Sequence, residues 1–315
     1  VKSKQGVTLV NKVFNVDALS DKDLEDVRWA ALVGADIVAL SYVNRASDLR
    51  ELRRLLDRYG SKALLCAKIE TKQAVKEIDE ILKVADIIMV ARGDLGLQMD
   101  LELIPITQKE LIKKSNKAGR PVITATQMLE SMLKNARPTR AEATDVANAI
   151  LDGTDAVMLS GETAAGDYPI EAVKTMARIA ETAESAFNYD LYFDQMEALG
   201  DMTSAVAEAA VQLASRLKVK AILCTSTSGH TARMVSKFRP KTPILCTAWS
   251  PEAHTQLSPV WGVETISLPS PNSTDDVVQL AIDGFLKAKR LKVGDRVVIV
   301  AGVPAGQPGH TNLIW

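Results

Sequence analysis

A strand-then-helix alternation repeats five times in the first part of the chain and limits the possible fold more than any other feature of the sequence. Short apolar runs end in small or polar residues and are followed by segments with apolar residues at helical spacing. The predicted strands cover residues 35–42, 63–70, 87–94, 121–127 and 156–162. Their ends lie roughly 24 to 35 residues apart, about the length of a strand and its crossover helix in a parallel sheet. A closed barrel needs eight such strands, so the pattern predicts a parallel α/β sheet that forms part of a barrel.

The rest of the chain predicts a smaller α/β domain after a linker. A long helix at residues 169–188 is followed by a mixed aromatic and acidic stretch at 189–201. Beyond it, strand patterns at 221–225, 244–248 and 296–301 alternate with helical patterns at 203–217, 231–238 and 274–288. We therefore predict two domains, 1–190 and 191–315.

Composition excludes several classes of protein. The chain has 38 basic and 39 acidic side chains, which argues against a nucleic-acid binder with a basic surface. Its apolar runs are too short for a membrane-spanning helix, and no N-terminal stretch is typical of a secretion signal, so we expect a cytoplasmic protein with no membrane partner. Three widely spaced cysteines in apolar strands predict buried thiols rather than disulfides or a zinc site.

Polar side chains follow the predicted strands at the end where parallel α/β sheets place their chemistry. Lys68 and Glu70 are two residues apart, so both project from the same side of one strand. Asp94 ends the next strand between glycines whose backbone amides can approach an anion. Two carboxylates on neighbouring strands fit Mg²⁺, and the lysine would then neutralise a phosphoryl group. The spacing alone is equally compatible with a structural ion pair between Lys68 and Glu70.

Two hydroxyls end the following strands. Thr126 and Ser160 have the chemistry to bond a reacting oxygen or to relay a proton through water. Each also has the residue type that caps a following helix, and taken singly the cap is the more common role.

A hydroxyl-rich turn joins a strand to a helix in the second domain. Its residues are Thr225, Ser226, Thr227, Ser228, Gly229, His230 and Thr231. A helix N-terminus with free amides and added hydroxyls predicts a phosphate site, although an ordinary cap-rich turn has the same composition.

Six segments of the first domain together carry a family resemblance. They are AKIE at 67–70, MVARGDLG at 89–96, ATQMLESM at 125–132, RPTRAE at 137–142, DVANA at 145–149 and MLSGETA at 158–164. In order and spacing, these segments resemble the pyruvate kinase family. The resemblance extends over essentially the whole chain, because the second domain is similar to the C-terminal regulatory domain of that family. It implies a partial TIM-type (β/α)8 barrel, containing strands four to eight of the family barrel, followed by a smaller C-terminal α/β regulatory domain.

The resemblance also implies an activity, which is Mg²⁺-dependent phosphoryl transfer from phosphoenolpyruvate to ADP, giving pyruvate and ATP in glycolysis. Glu70 and Asp94 would bind the Mg²⁺, and Lys68 would contact the transferring phosphoryl group. The amides of Gly93 and Asp94, with the Thr126 hydroxyl, would receive the substrate carboxylate. Thr126, Ser160 and Glu162 resemble the residues of the family that lie near the enolate carbon and serve a proton relay.

In the second domain, the resemblance implies that the turn at 225–231 binds the phosphate of a sugar-phosphate or nucleotide effector. Trp249, His254 and the stretch at 306–310 correspond to neighbouring loops of that pocket. The family also assembles as a tetramer through its C-terminal domain and the region around Pro138, where the sequence predicts a helix with Pro in its first turn. We therefore expect a homotetramer.

Two departures from the family pattern matter. The segments that supply the first three barrel strands, the lid, the nucleotide contacts and the ligands of a monovalent cation, K⁺, are not present in the sequence. We therefore expect the chain to begin partway through the fold and to be inactive alone. The run at 97–100 also differs from the usual run after the metal carboxylate.

Two alternatives stay open from the residues. One is an Mg²⁺-dependent aldolase or lyase that stabilises a pyruvate enolate, because such enzymes also use a Glu and an Asp on adjacent strands. The other is a non-catalytic module that binds a metabolite through its second domain.

Overall fold

The structure is a computed structural model that describes residues 19–269, 274–302 and 311–315. It consists of two compact units. One unit contains the chain up to Ser115 together with Val122–Ser185, and the other contains Asn116–Pro121 together with the chain from Ala186 onward.

The first unit alternates strands and helices as the sequence predicts. Its described elements are, in chain order, α1 (Asp21–Leu32), β1 (Ile37–Leu40), α2 (Ala46–Arg58), β2 (Leu64–Ile69), α3 (Lys72–Lys76), α4 (Ile78–Ile81), β3 (Ile87–Ala91), α5 (Arg92–Gln98), α6 (Ile104–Lys117), β4 (Val122–Ala125), α7 (Arg140–Leu151), β5 (Ala156–Met158), α8 (Gly161–Ala164) and α9 (Pro169–Ser185). A capping box starts α1, with the Ser20 side chain accepting from the Asp23 amide while the Asp23 carboxylate accepts from Ser20.

The five strands form one parallel sheet in the order β1-β2-β3-β4-β5, which confirms the predicted fold class. In-register neighbours such as Cys66 and Ile87 place alternate side chains on the same face. One face carries an apolar layer built from Cys66, Ile87, Met89 and Ala125. Lys68 continues the Cys66 row in register with Met89, and Glu70 follows the last residue of β2, so both side chains lie at the carboxyl edge of the sheet.

Several predicted boundaries are wrong. β3 ends at Ala91, and Asp94 lies in the first turn of α5 rather than on the strand. β5 ends at Met158, and Glu162 lies in α8. The helical spacing of apolar residues at 72–84 predicts a single helix, which breaks at Glu77 into α3 and α4. Pro138 lies outside α7, because Thr139 is its N-cap residue.

The second unit contains a mixed sheet. Its described elements are α10 (Tyr189–Asp194), α11 (Met202–Leu217), β6 (Ala221–Ser226), α12 (His230–Lys237), β7 (Ile244–Ala248), α13 (Pro251–Gln256), β8 (Val263–Ser267), α14 (Thr274–Lys287), β9 (Val297–Ala301) and β10 (Leu313–Ile314). The strand order is β10-β9-β6-β7-β8, with only the β9–β10 pair antiparallel. The sequence patterns missed α10, α13, β8 and β10.

Apolar clusters cover both faces of this second sheet. One cluster contains Ala207, Val211, Ile222, Cys224 and Phe238, so α11 and α12 pack against the sheet. The other lies around Leu223, Leu245, Ala281 and Phe285 and packs α14 on the opposite face. The central strand β6 and its neighbour β7 are buried along their whole length.

The three cysteines are free and buried, as the sequence predicts. Cys66 lies in β2, while Cys224 and Cys246 are in-register neighbours on β6 and β7. Burial raises the pKa of Cys66 and of Cys246 to about 12.

Within the described part of the chain, none of the helices combines the length and the apolar character needed to cross a membrane.

Candidate active site

The ion pair between Lys68 and Glu70 lies at the carboxyl end of β2. Lys68 Nζ is 2.7 Å from Glu70 Oε1 and donates a hydrogen bond of 2.9 Å to Ser41 Oγ, which follows β1. Only 1% of the Glu70 side chain is exposed, against 26% of the Lys68 side chain. The carboxylate is therefore held inside, while the ammonium reaches toward solvent, where a substrate anion can meet it.

The two oxygens of Glu70 have different surroundings. Oε2 accepts a hydrogen bond of 2.6 Å from the backbone amide of Tyr42. Oε1 is buried and is paired with the Lys68 ammonium at 2.7 Å. A carboxylate oxygen has more than one lone pair, so a buried oxygen with this single partner also fits a hard divalent cation, which agrees with the Mg²⁺ chemistry expected of Glu70.

Asp94 acts on the residue next to this pair, Tyr42, through its charge. Burial raises the pKa of Tyr42, the negative charges of Asp94 and Glu70 raise it further, and the Lys68 cation opposes them. The charges of the lysine and of both carboxylates thus act on one phenol, so the three predicted residues lie in one neighbourhood.

The described residues contain no group of three or more His, Cys, Asp or Glu side chains arranged to hold a metal. Mg²⁺ needs fewer, because it commonly uses one or two carboxylates and keeps water or substrate oxygens as its other ligands. Glu70 and Asp94 match that smaller set.

The predicted anion donors Gly93 and Thr126 are in contact. The Gly93 amide donates a hydrogen bond of 2.7 Å to Thr126 Oγ1, and this hydroxyl donates one of 2.6 Å to the carbonyl of Ala125. Thr126 and Gln127 have φ angles of 68° and 53°, which are uncommon for residues with a side chain. Two consecutive left-handed residues turn the chain sharply after β4 and bring the Thr126 hydroxyl beside the start of α5.

Arg92 holds this turn, although sequence reasoning did not single it out. Its Nη2 donates to the carbonyls of Thr126 and Gln127 at 2.8 and 3.0 Å. Its Nη1 forms an ion pair with Asp145 Oδ2 at 2.6 Å. One signal in the sequence could have indicated this role, because Arg92 directly follows an apolar strand. A guanidinium buried at such a position needs several hydrogen-bond acceptors around it.

Ser160 and Glu162 lie together after β5. Glu162 is fully buried, and its two oxygens accept from the backbone amides of Leu129 and Ser160 at 3.1 and 2.9 Å. The carboxylate therefore joins the turn after β4 to the turn after β5. The predicted role of Glu162 in a proton relay stays a prediction.

The hydroxyl-rich turn of the second unit runs from the end of β6 into α12. Thr225 and Ser226 belong to β6, while Thr227 and Ser228 are exposed. Gly229 precedes α12 with a φ of 76°, and no side chain caps this helix. The first amides of α12 are thus left without a side-chain cap, as a phosphate-binding helix N-terminus requires.

Other members of the predicted effector pocket make local contacts. Thr231 Oγ1 lies 2.7 Å from Thr311 Oγ1, in a buried pair. Burial and the nearby Arg233 lower the pKa of His230, which favours its neutral form. His254 Nδ1 lies 2.8 Å from Thr265 Oγ1. The stretch at 306–310 lies outside the described residues.

Comparison with known proteins gives consistent matches in both halves of the chain. A family model described as pyruvate kinase, barrel domain, matches residues 1–173, and one described as pyruvate kinase, alpha/beta domain, matches residues 204–315. Proteins named pyruvate kinase from Sporosarcina psychrophila and Geobacillus stearothermophilus are each 47% identical over 317 residues, and one from Staphylococcus epidermidis is 44% identical over 316. These alignments cover 100% of this chain and 54% of each relative, so the chain spans about half the length of the curated relatives it matches.

Proposed function

The chain belongs to the pyruvate kinase family, and we propose that it takes part in Mg²⁺-dependent phosphoryl transfer from phosphoenolpyruvate to ADP, which gives pyruvate and ATP in glycolysis. The observation that carries this proposal is the contact of Lys68 with the buried Glu70 at the carboxyl end of β2. The family match supports the phosphotransferase and gives no support to the aldolase or lyase alternative.

Glu70 and Asp94 are the residues that would hold Mg²⁺ in this proposal. When bound, the ion would supply positive charge next to the enol and phosphoryl oxygens. Glu70 contributes a buried oxygen that is paired with the Lys68 ammonium, and Asp94 contributes a half-buried carboxylate on α5. Any K⁺ ligands would come from outside this set of residues.

Lys68 would stabilise the negative charge that spreads over the transferring phosphoryl group. Its ammonium is held by Glu70 and Ser41, so it is oriented before the substrate arrives. A preorganised charge needs little rearrangement during the reaction, which is the main way in which proteins catalyse phosphoryl transfer.

The substrate carboxylate would be received by the amides of Gly93 and Asp94 with the Thr126 hydroxyl. This hydroxyl accepts from the Gly93 amide and donates to the carbonyl of Ala125, so it must rotate away from both before the amide and the hydroxyl can donate to a substrate. The Arg92 guanidinium holds the backbone of the turn during that rotation.

Protonation of the enolate would use the hydroxyls of Thr126 and Ser160 through water. Glu162 has both oxygens engaged by backbone amides, which supports a role in holding Ser160 at the end of the relay.

The second unit would bind a sugar-phosphate or nucleotide effector at residues 225–231, in a cytoplasmic, allosteric homotetramer. The uncapped N-terminus of α12 and the exposed Thr227 and Ser228 support this role. Calorimetric titration of the native protein with sugar phosphates and nucleotide monophosphates tests it, and the absence of heat with all of them contradicts it. Sedimentation tests the tetramer.

The catalytic proposal is tested with Lys68→Met in the native protein. Pyruvate formation from phosphoenolpyruvate and ADP should require Mg²⁺, and the variant should lower kcat by about 10² to 10³, the cost of removing one preorganised charge. Lys62→Met, an exposed lysine before β2, is the matched control and should leave kcat within about twofold of the parent. Undiminished transfer by Lys68→Met would rule out the proposed role of the ammonium.

A further inference from the structure

A hydrogen bond between the ends of two neighbouring strands holds the Lys68 ammonium. Leu40, the last residue of β1, pairs in register with Ala67 of β2, so the next residues, Ser41 and Lys68, lie side by side at the carboxyl edge of the sheet. Lys68 Nζ donates to Ser41 Oγ at 2.9 Å, across 27 positions of sequence. The parallel pairing of β1 with β2 therefore places this hydroxyl beside the ammonium.

The ion pair with Glu70 leaves the direction of the ammonium only partly fixed. A lysine side chain is a flexible four-carbon stem that ends in a compact point charge. Glu70 Oε1 attracts that charge at 2.7 Å, whereas the hydrogen bond to Ser41 Oγ also favours one angle of approach. Two partners from two strands restrict the ammonium more than either partner alone.

Neither core packing nor helix capping accounts for Ser41. The residue is exposed, and α2 begins only at Ala46, with Arg45 as its N-cap residue. A serine in a turn commonly bonds the backbone next to it, whereas this one accepts from a side chain of another strand. The contact with Lys68 distinguishes Ser41 from an ordinary turn residue.

The residue after Ser41 holds the other member of the ion pair. Tyr42 has a φ of 52°, in the left-handed region, and its backbone amide donates to Glu70 Oε2 at 2.6 Å. Such a backbone persists only where surrounding contacts stabilise it, and it is concentrated at functional sites. Two consecutive residues after β1 thus hold Lys68 and Glu70 in place together.

We propose that Ser41 is a positioning residue that fixes the direction of the Lys68 ammonium toward the transferring phosphoryl group. The inference rests on the proposed function, because it assumes that Lys68 stabilises the charge of that group. A charge that is fixed in advance acts most strongly in the transition state, so the loss of Ser41 should lower kcat more than it changes KM.

The test measures pyruvate formation from phosphoenolpyruvate and ADP by the native protein and its variants. Ser41→Ala removes one hydrogen bond to a charged group and leaves the ion pair with Glu70, so kcat should fall about tenfold while the KM for phosphoenolpyruvate stays within about twofold. The thermal unfolding midpoint should not move, because Ser41 is exposed. Ser47→Ala is the matched control, since the hydroxyl of this exposed serine contacts Asp48, and it should leave kcat unchanged.

A double-mutant cycle with Lys68→Met shows whether Ser41 acts through the lysine. Lys68→Met alone should lower kcat by about 10² to 10³, and adding Ser41→Ala to it should lower kcat by less than about twofold more. An equal loss from Ser41→Ala in both backgrounds would mean that Ser41 acts independently of Lys68, and it would overturn the inference.

The same variants separate this inference from the proposed function. If Lys68→Met loses activity as expected while Ser41→Ala stays within about twofold of the parent, the role of the ammonium stands and that of Ser41 is overturned. If Lys68→Met transfers the phosphoryl group undiminished, the proposed role of the ammonium fails, and the inference is overturned with it.

Discussion

Two left-handed turns, one in each unit, are built in different ways. In the first unit, Thr126 and Gln127 turn the chain after β4 with φ angles of 68° and 53°. In the second unit, Gly229 turns the chain before α12 with a φ of 76°. The first turn uses residues that resist this conformation, and the second uses the residue that adopts it freely.

The difference follows from what each turn presents. The turn after β4 exposes the hydroxyl of Thr126, which a glycine could not supply. The conformational cost of its left-handed backbone is offset by the hydrogen bonds that the buried Arg92 donates. The turn before α12 offers backbone amides, which glycine supplies without a side chain. A left-handed turn that exposes a side chain therefore needs tertiary contacts to stabilise its backbone, whereas a left-handed glycine turn that exposes backbone amides does not.

Among the variants that test this comparison, Arg92→Met is expected to lower the free energy of unfolding most. The change leaves two carbonyls of the turn without their donor and removes the partner of Asp145. The free energy of unfolding should fall by about 3 kcal/mol, with faster hydrogen exchange over residues 122–133. Chemical denaturation with exchange mass spectrometry measures both.

Arg137→Met provides the control for that experiment, because Arg137 is exposed in the same unit. Its unfolding free energy should stay within about 0.5 kcal/mol of the parent. Equal stability of the two variants would mean that the turn after β4 does not depend on the guanidinium.

A smaller effect is expected from Gly229→Ala. A Cβ there would lie 2.9 Å from Leu257 Cδ2, and the φ of 76° would be strained as well. Gly60→Ala is the matched control, because Gly60 has a φ of 70° but no heavy atom within 4 Å of the place that a Cβ would occupy. Chemical unfolding should give losses of about 2 kcal/mol for Gly229→Ala and about 1 kcal/mol for Gly60→Ala. Equal losses would show that Leu257 moves aside and that backbone strain alone sets the cost.

The smallest expected change in stability concerns the N-termini of two helices, α7 and α12. α7 begins with a capping box in which Glu142 accepts from the amides and hydroxyls of Ser131 and Thr139, whereas α12 has no side-chain cap. Burial raises the pKa of Glu142, but these hydrogen bonds outweigh it and hold the pKa below the value of 4.5 that is ordinary for a glutamate side chain.

A lowered pKa in the folded state means that the unfolded chain binds the proton more readily. The stabilisation by Glu142 is therefore fully present above about pH 5 and is lost as the pH falls through the folded pKa. Glu142→Gln should cost about 1 kcal/mol at neutral pH and flatten the decline in stability below pH 5, and solvent screening keeps the effect small. Urea denaturation across this range measures it, with the exposed Glu130→Gln as control. An unchanged acid limb in Glu142→Gln would contradict the assignment.

Much of the first unit could be predicted from the sequence. Five apolar runs at regular spacing predicted five parallel strands, and the period of a strand predicted that Lys68 and Glu70 share a side. These features depend on local patterns that repeat along the chain. The boundary after β3 was wrong because Arg92, Gly93 and Asp94 directly follow the apolar run and were included in the strand, although their backbone already turns into α5.

The residues that the sequence did not reveal act over long distances in the chain. Tyr42 contacts Glu70, and Arg92 contacts Asp145, and neither pairing leaves a local signature. Left-handed backbone at Tyr42 and Thr126 is likewise imposed by tertiary contacts, because neither residue type favours it. β10 was missed because its two residues pair with β9 without an alternating pattern of their own.

Because all three thiols are buried, each unit contains cysteine whose alkylation reports the local unfolding of that unit. Only a thiolate reacts with an alkylating reagent, so Cys66 in β2 and the Cys224–Cys246 pair in β6 and β7 stay inert until their own strands separate. Pulse alkylation followed by peptide mapping therefore resolves which unit unfolds first, without any added label. The order of modification would rank the kinetic stability of the two sheets in the native protein.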